Sequence, residues 1–262
     1  MTTDTQSKPL GGRAYGSIGH LPDSRLGPGD HYVDEQQARI LTVQTRNKND
    51  TVIVTEKLDG SCTAVAKLDG GSIVALTRAG YLARTSPYEQ HSLFADWVDE
   101  NQGLFAAILA PGERLVGEWL AQVHGTRYAR LSDMSRCPWY VFDLMRGSKR
   151  ATSNEFTQRF SGSVHVPRVI GIGDAINPTT GMERVKAFSM AHPDDGDEGL
   201  VYRLETSKNG GDRYVAFLAK WVRPDKTDGK YLPNVIGGEP LWNWHPTKPR
   251  WWEVADNGTH TT

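Results

Sequence analysis

Cysteine is scarce. Cys62 and Cys137 are the only two in 262 residues, far apart and without a CxxC or histidine-rich companion. This excludes a disulfide framework and argues against a zinc site. It suits a reducing cytoplasm, the host's if the chain is virus-encoded. Long apolar runs are also lacking: none approaches the ~18 residues that cross a bilayer, so no membrane association is expected. The start, MTTDTQSKPLGGR, has no apolar stretch before a cleavage site and is not a secretory signal. An excess of one charge is missing too, since thirty Lys and Arg face thirty-one Asp and Glu for a net charge of −1. As a whole-chain sum, that argues against a nucleic-acid partner. The 38% hydrophobic content and eight Trp exclude disorder, and the length allows one large domain or two small ones.

β-Branched and apolar runs predict strands at 51–57, 62–68, 72–77, 114–120, 138–144, 164–170, 198–204 and 213–222. Asp69-Gly70-Gly71 and Lys208-Asn209-Gly210-Gly211 read as hairpin turns. Ser86-Pro87 ahead of Leu93, Phe94, Trp97 and Val98 predicts a capped helix over 87–100, and 152–160 a shorter one. Strands outnumber helices and are joined by short turns, so the fold class is α+β with largely antiparallel sheets flanked by helices. The first forty-odd residues, rich in Gly and Pro, read as an irregular arm. Trp242, Trp244, Trp251 and Trp252 near the end read as packing.

The most informative string is Glu56-Lys57-Leu58-Asp59-Gly60-Ser61, a lysine at a strand end before a tight turn. Alone it is short enough to be a surface hairpin with a solvated lysine. Further strings follow it in order: Thr77-Arg78-Ala79-Gly80, Val116-Gly117-Glu118-Trp119, Tyr140-Val141-Phe142-Asp143, Glu198-Gly199-Leu200-Val201 with Arg203, and Ala219-Lys220-Trp221-Val222-Arg223. The ordered set resembles the covalent nucleotidyltransferase superfamily of ATP-dependent DNA ligases, RNA ligases and mRNA capping enzymes. Within it the chain looks most like the RNA-ligase domain family, in the branch related to RNA-editing ligases. Thr63 after the nucleophile string and the early Gly19-His20-Leu21-Pro22 carry that closer likeness.

The resemblance implies an ATP-grasp-like ligase domain of the nucleotidyltransferase type. It implies an irregular arm over 1–45 packed on the core, the adenylyltransferase domain over 46–225, and a Trp-rich tail over 226–262 too short for a C-terminal OB-fold. It also implies that Lys57 attacks ATP to form lysyl-AMP, that AMP passes to an RNA 5′-phosphate, and that a 3′-hydroxyl then seals the strand. Lys57 and Lys220 would be catalytic. Glu56, Lys57, Asp59, Gly60, Arg78, Glu118, Phe142, Glu198 and Lys220 would bind ATP, with Phe142 stacking on adenine and Glu118 at the ribose. Glu198 and Asp59 would contact Mg²⁺ or Mn²⁺, and Arg203 and Arg223 the substrate phosphate. One departure from the superfamily pattern is a missing second lysine in the last string, where Val222 stands.

A lysine with its ordinary pKa near ~10.4 is almost fully protonated at pH 7, so a nucleophilic Lys57 needs burial or neighbouring positive charge. His20, His31 and His124 show no pairing with Ser or Cys that would suggest a triad. The neutral total hides local polarity: 127–150 carries six basic residues against two acidic ones, and 203–230 seven against four. This local positive charge suits salt-sensitive binding of the partner that the resemblance implies, RNA with 5′-phosphate and 3′-hydroxyl ends, and the chain is expected to be a monomer. Two other readings remain open: a minimal ATP-dependent DNA ligase, and a nucleotide- or RNA-binding module of the same fold without sealing activity.

Overall fold

The computed structural model describes residues 8–128, 138–208 and 210–256. Arg130, Asp133, Arg136 and Cys137 of the basic segment, and Asn209 of the expected hairpin turn, lie outside them. In chain order the elements are β1 (Gly19–His20), α1 (Glu35–Thr42), β2 (Thr51–Lys57), β3 (Ser61–Lys67), β4 (Ile73–Thr77), α2 (Glu89–Glu100), α3 (Gln102–Ile108), β5 (Glu113–Trp119), β6 (Trp139–Arg146), β7 (Lys149–Arg150), α4 (Ser153–Phe160), β8 (Val169–Gly173), α5 (Pro178–Lys186), β9 (Gly199–Ser207), β10 (Arg213–Val222), α6 (Pro233–Ile236) and α7 (Trp251–Asp256). The fold is α+β, with two five-stranded sheets that are antiparallel except for the pairing of β1 with β10. Among the described residues, no helix is long and apolar enough to cross a membrane.

The chain divides into two compact units whose segments alternate along the sequence. One comprises Met1–Gly16, Ser61–Trp119 and Trp139–Val166; the other comprises Ser17–Gly60, Leu120–Pro138 and Pro167–Thr262. In the first, the strand order is β4-β3-β5-β6-β7. One face of this sheet is covered by α2 and α3, whose Phe94, Trp97 and Phe105 meet Trp119 and Trp139 with ring centroids 5.3–5.9 Å apart. The other face carries Ala64, Ala66, Leu76 and Val116, against which Ala14 and Tyr15 of the arm pack.

In the second unit the order is β1-β10-β9-β2-β8. Val52 and Val54 of β2, Leu200, Tyr202 and Leu204 of β9, and Ala219 of β10 form a core with Ala38, Ile40 and Leu41 of α1 and with Met182 and Val185 of α5. Side chains alternate between faces along a strand, and directly paired residues share a face. The other face therefore carries Ile53, Thr55 and Lys57 of β2, Val201 and Arg203 of β9, and Leu218 and Lys220 of β10.

Some element boundaries differ from the sequence expectation. The strand expected at 164–170 forms at 169–173, because Pro167 has no N–H to give to a ladder. The helix expected from residue 87 starts at Glu89, and its N-cap is Tyr88 rather than Ser86. Ser86 Oγ instead accepts the Tyr88 N–H and bonds the His91 ring. In β6 the ladder steps from Val116–Asp143 to Gly117–Val141 and skips Phe142. This bulge interrupts the simple alternation that would place Tyr140 and Phe142 on one face. The first forty-odd residues contain α1, whose N-cap Asp34 accepts the Gln37 N–H.

Candidate active site

Lys57 is the last residue of β2, and its Nζ lies 2.6 Å from Glu198 Oε2, one residue ahead of β9. The pairing of Lys57 with Gly199 in the ladder brings these two side chains together across 141 residues of sequence. A side chain at Gly199 would have its Cβ 2.0 Å from the Trp221 carbonyl oxygen, so close backbone packing makes glycine obligatory beside Glu198. Burial pushes the Glu198 carboxyl up to about 7; the adjacent Lys57 ammonium opposes that rise and the Asp59 carboxylate adds to it.

Asp59 lies in the short link after β2. Its Oδ2 accepts from Lys226 Nζ at 2.7 Å and from the Gly125 N–H at 2.9 Å, and its own N–H donates to Tyr128 Oη at 2.7 Å. Burial would raise the Asp59 pKa, but the Lys226 ammonium, Lys57 and His124 together outweigh it and the net shift is downward. Lys226 is only 1% exposed at its side chain and also bonds the Thr126 hydroxyl. His124 beside this group is lowered by burial. A Cβ at Gly125 would sit 2.6 Å from the Thr227 carbonyl oxygen and 3.0 Å from Asp59 Oδ2. The turn after Lys57 is thus clamped by two loops distant in sequence.

Lys220 lies on the same face of the sheet as Lys57, two strands away, and Arg203 lies there on the strand between them. Glu56 points to the opposite face: it is buried, accepts the Arg168 N–H at 2.8 Å, and is raised by burial. Gly60 ends the second unit's first long segment. Arg223 bonds Asp225 at 3.1 Å and the Asp195 carbonyl. Asp195, in the acidic run before Glu198, is not solvated. Its carboxylate is fully buried, bonded by Arg127, Lys230 and Tyr231, and held well below the usual carboxylate range because these donors outweigh burial.

In the other unit, Glu118 of β5 pairs with Cys62 of β3 and with Tyr140 of β6. Phe142 packs on that unit's arm-covered face, with the Tyr15 ring 5.3 Å away and edge-on. Arg78 follows β4, and its backbone carbonyl accepts the Ala14 and Tyr15 N–H groups.

Sequence reasoning missed Lys226 and misjudged His20. Lys226 sits in a polar loop and pairs with a carboxylate 167 residues away, so no local pattern marks it. His20 was expected to lack a serine partner, yet its Nδ1 lies 2.7 Å from Ser24 Oγ and its Nε2 2.9 Å from Asp30 Oδ2. This is no hydrolytic triad. Ser24 is buried and its Oγ already accepts the Val222 N–H at 2.8 Å.

Lys57 thus contacts a buried glutamate on a sheet face that also bears Arg203 and, two strands away, Lys220. The RNA ligase family model matches residues 50–222, well over half of the chain, and the chain belongs to that family. Similar solved structures include an archaeal ATP-dependent RNA ligase, 18% identical with a TM-score of 0.43 over 66% of this chain and 42% of that one. They also include a Naegleria gruberi RNA ligase variant with ATP and Mn, 18% identical with a TM-score of 0.42 over 78% of this chain and 60% of that one. The same Naegleria gruberi ligase with PPi is 18% identical, with a TM-score of 0.43 over 76% and 58%. The chain therefore spans about two fifths to three fifths of the length of these proteins. No curated protein matches it.

Proposed function

We propose that the chain is the adenylyl-transferring part of an ATP-dependent RNA ligase. The observation that carries this reading is Lys57 Nζ in contact with the buried Glu198 carboxylate, on the sheet face that also bears Arg203 and Lys220. Lys57, once deprotonated, attacks the α-phosphorus of ATP. The N–P bond forms, the bond from that phosphorus to the bridging oxygen breaks, and pyrophosphate leaves. AMP then passes from Lys57 to the 5′-phosphate of RNA, and a 3′-hydroxyl displaces it to join the ends. Lys220 carries positive charge toward the phosphates, where charge develops as pyrophosphate departs. Arg78, Glu118 and Phe142 hold the nucleotide through its phosphate or ribose, its ribose hydroxyls and its adenine respectively, as the family resemblance implies.

Among the described residues no three His, Cys, Asp or Glu side chains are grouped to hold a metal. That fits Mg²⁺ or Mn²⁺ bound mainly by ATP phosphates and water, with one protein carboxylate. Glu198 is that carboxylate. Asp59 is taken up by Lys226 and the Gly125 N–H, and its contribution is to fix the turn behind Lys57. A bound divalent cation would supply charge neutralisation at the phosphates. The setting proposed is cytoplasmic.

Incubation with α-labelled ATP and Mg²⁺ or Mn²⁺ tests this. Label that survives denaturing electrophoresis and is lost in Lys57→Ala supports the first step; no label from ATP or GTP sinks it. Nicked duplexes with ribose or deoxyribose at the 3′ end then separate an RNA ligase from a DNA ligase.

A further inference from the structure

The segment from residue 19 to residue 33 is fastened to the end of β10 by bonds that converge on Lys220. The Leu21 N–H donates to the Lys220 carbonyl at 2.8 Å and the Arg25 N–H to the Val222 carbonyl at 2.9 Å, while His20 pairs with Lys220 in a parallel register. Within that segment His20 and His31 share a backbone bond of 2.8 Å, as do Val33 and His20.

The side chains form a directed chain. The Asp30 carboxylate can only accept, so His20 Nε2 carries the imidazole proton and donates to Asp30 Oδ2. In the neutral ring Nδ1 then accepts from the Ser24 hydroxyl, whose oxygen also accepts the Val222 N–H. Burial, with the nearby Lys220 charge, lowers the His20 pKa and favours this neutral form. The Gly27 N–H also donates to Asp30 Oδ2 at 3.1 Å, and Asp30 Oδ1 faces Lys220 Nζ at 3.4 Å. His20 is 1% exposed, so the carboxylate is held by a buried ring.

We propose that His20 and Asp30 form a positioning pair for Lys220, holding its ammonium at the end of β10 for the phosphates of a nucleotide. A lysine stem has many rotamers and loses entropy when it is aimed. A rigid carboxylate beside it restricts them before the nucleotide arrives. The pair acts only through Lys220, and the proposal rests on the adenylylation reading above.

At saturating ATP and Mg²⁺, Asp30→Asn is expected to slow single-turnover labelling of Lys57 roughly tenfold or more. The ATP concentration for half-maximal rate changes by less than about threefold, because the loss is in the reacting complex. Asp30→Asn added to Lys220→Ala slows labelling no further than Lys220→Ala alone. His20→Gln, whose amide replaces the Nε2–H donor, recovers most of the rate lost in His20→Ala. A wild-type rate in Asp30→Asn, or losses that simply add, overturn the proposal.

A second readout needs no nucleotide. Acylation of the Lys220 amine by a succinimidyl ester, followed by peptide mass spectrometry, is expected to quicken in Asp30→Asn and His20→Ala and to return toward wild type in His20→Gln. An unchanged acylation rate overturns the positioning role. Faster acylation in a chain that never labels Lys57 supports the pairing and overturns the ligase reading alone.

Discussion

Glu113 in one unit and Glu198 in the other are both buried glutamates at strand ends, and their carboxyls shift in opposite directions. Burial pushes both up. At Glu113, Arg159 bonds both carboxylate oxygens at 2.7 and 2.8 Å, Arg146 adds 2.7 Å and the Ala110 N–H 2.9 Å, and together they hold it down at about 2. At Glu198 the hydrogen-bonded cation is Lys57, the Asp59 carboxylate adds to the rise, and the group ends near neutrality. Arginine forks saturate a carboxylate and lock it as a strut. A single lysine partner leaves a pair whose charges can be redistributed when a substrate enters. The first arrangement serves the fold; the second suits chemistry.

Function and stability therefore separate between the two sites. The largest effect is expected from Lys57→Ala, which removes all covalent label from α-labelled ATP; its urea midpoint falls less than that of Lys226→Met, because Glu198, at about 7, takes up a proton when its partner is lost. Glu113→Gln should keep its label, and loss of labelling there would break the comparison. Next comes Lys226→Met. It leaves the buried Asp59 carboxylate uncompensated and is expected to cost about 3–5 kcal/mol in urea unfolding.

Glu113→Gln follows, at about 1.5–3 kcal/mol at pH 7, from weaker bonds to Arg146 and Arg159. Because the folded carboxyl lies at about 2 and the unfolded one at 4.5, its contribution is fully present above pH 4.5 and is lost as pH falls toward 2. The gap between parent and variant should therefore close over that window. A gap that widens on acidification would invert the assignment. Smallest is Arg84→Ala, which removes exposed ion pairs to Asp96 and Asp99 and should leave the urea midpoint unchanged.

Much of the fold is legible in the sequence. The β-branched runs around Lys57, and those that carry the short strings from Lys57 to Lys220, mark the strands, because strand periodicity and turn residues are local properties. What escaped was set by tertiary contact. The bulge at Phe142 is an insertion in a ladder whose partner strand must be known first. Lys226 and Asp195 carry no local mark because their partners, Asp59 and Arg127, lie 167 and 68 residues away. His20 and Ser24 are only four residues apart, but they occupy a Gly- and Pro-rich stretch with no periodicity to reveal which side chains turn inward.

The pairing of β1 with β10 joins His20 to a residue two hundred positions later. During synthesis the early segment must wait, since its partner strand leaves the ribosome some two hundred residues later. Until then β10 is also absent as a neighbour for β9, whose unpaired edge is open to other chains. The arm is therefore made early and seated late, and the lysine it fastens is among the last parts of its sheet to find its place.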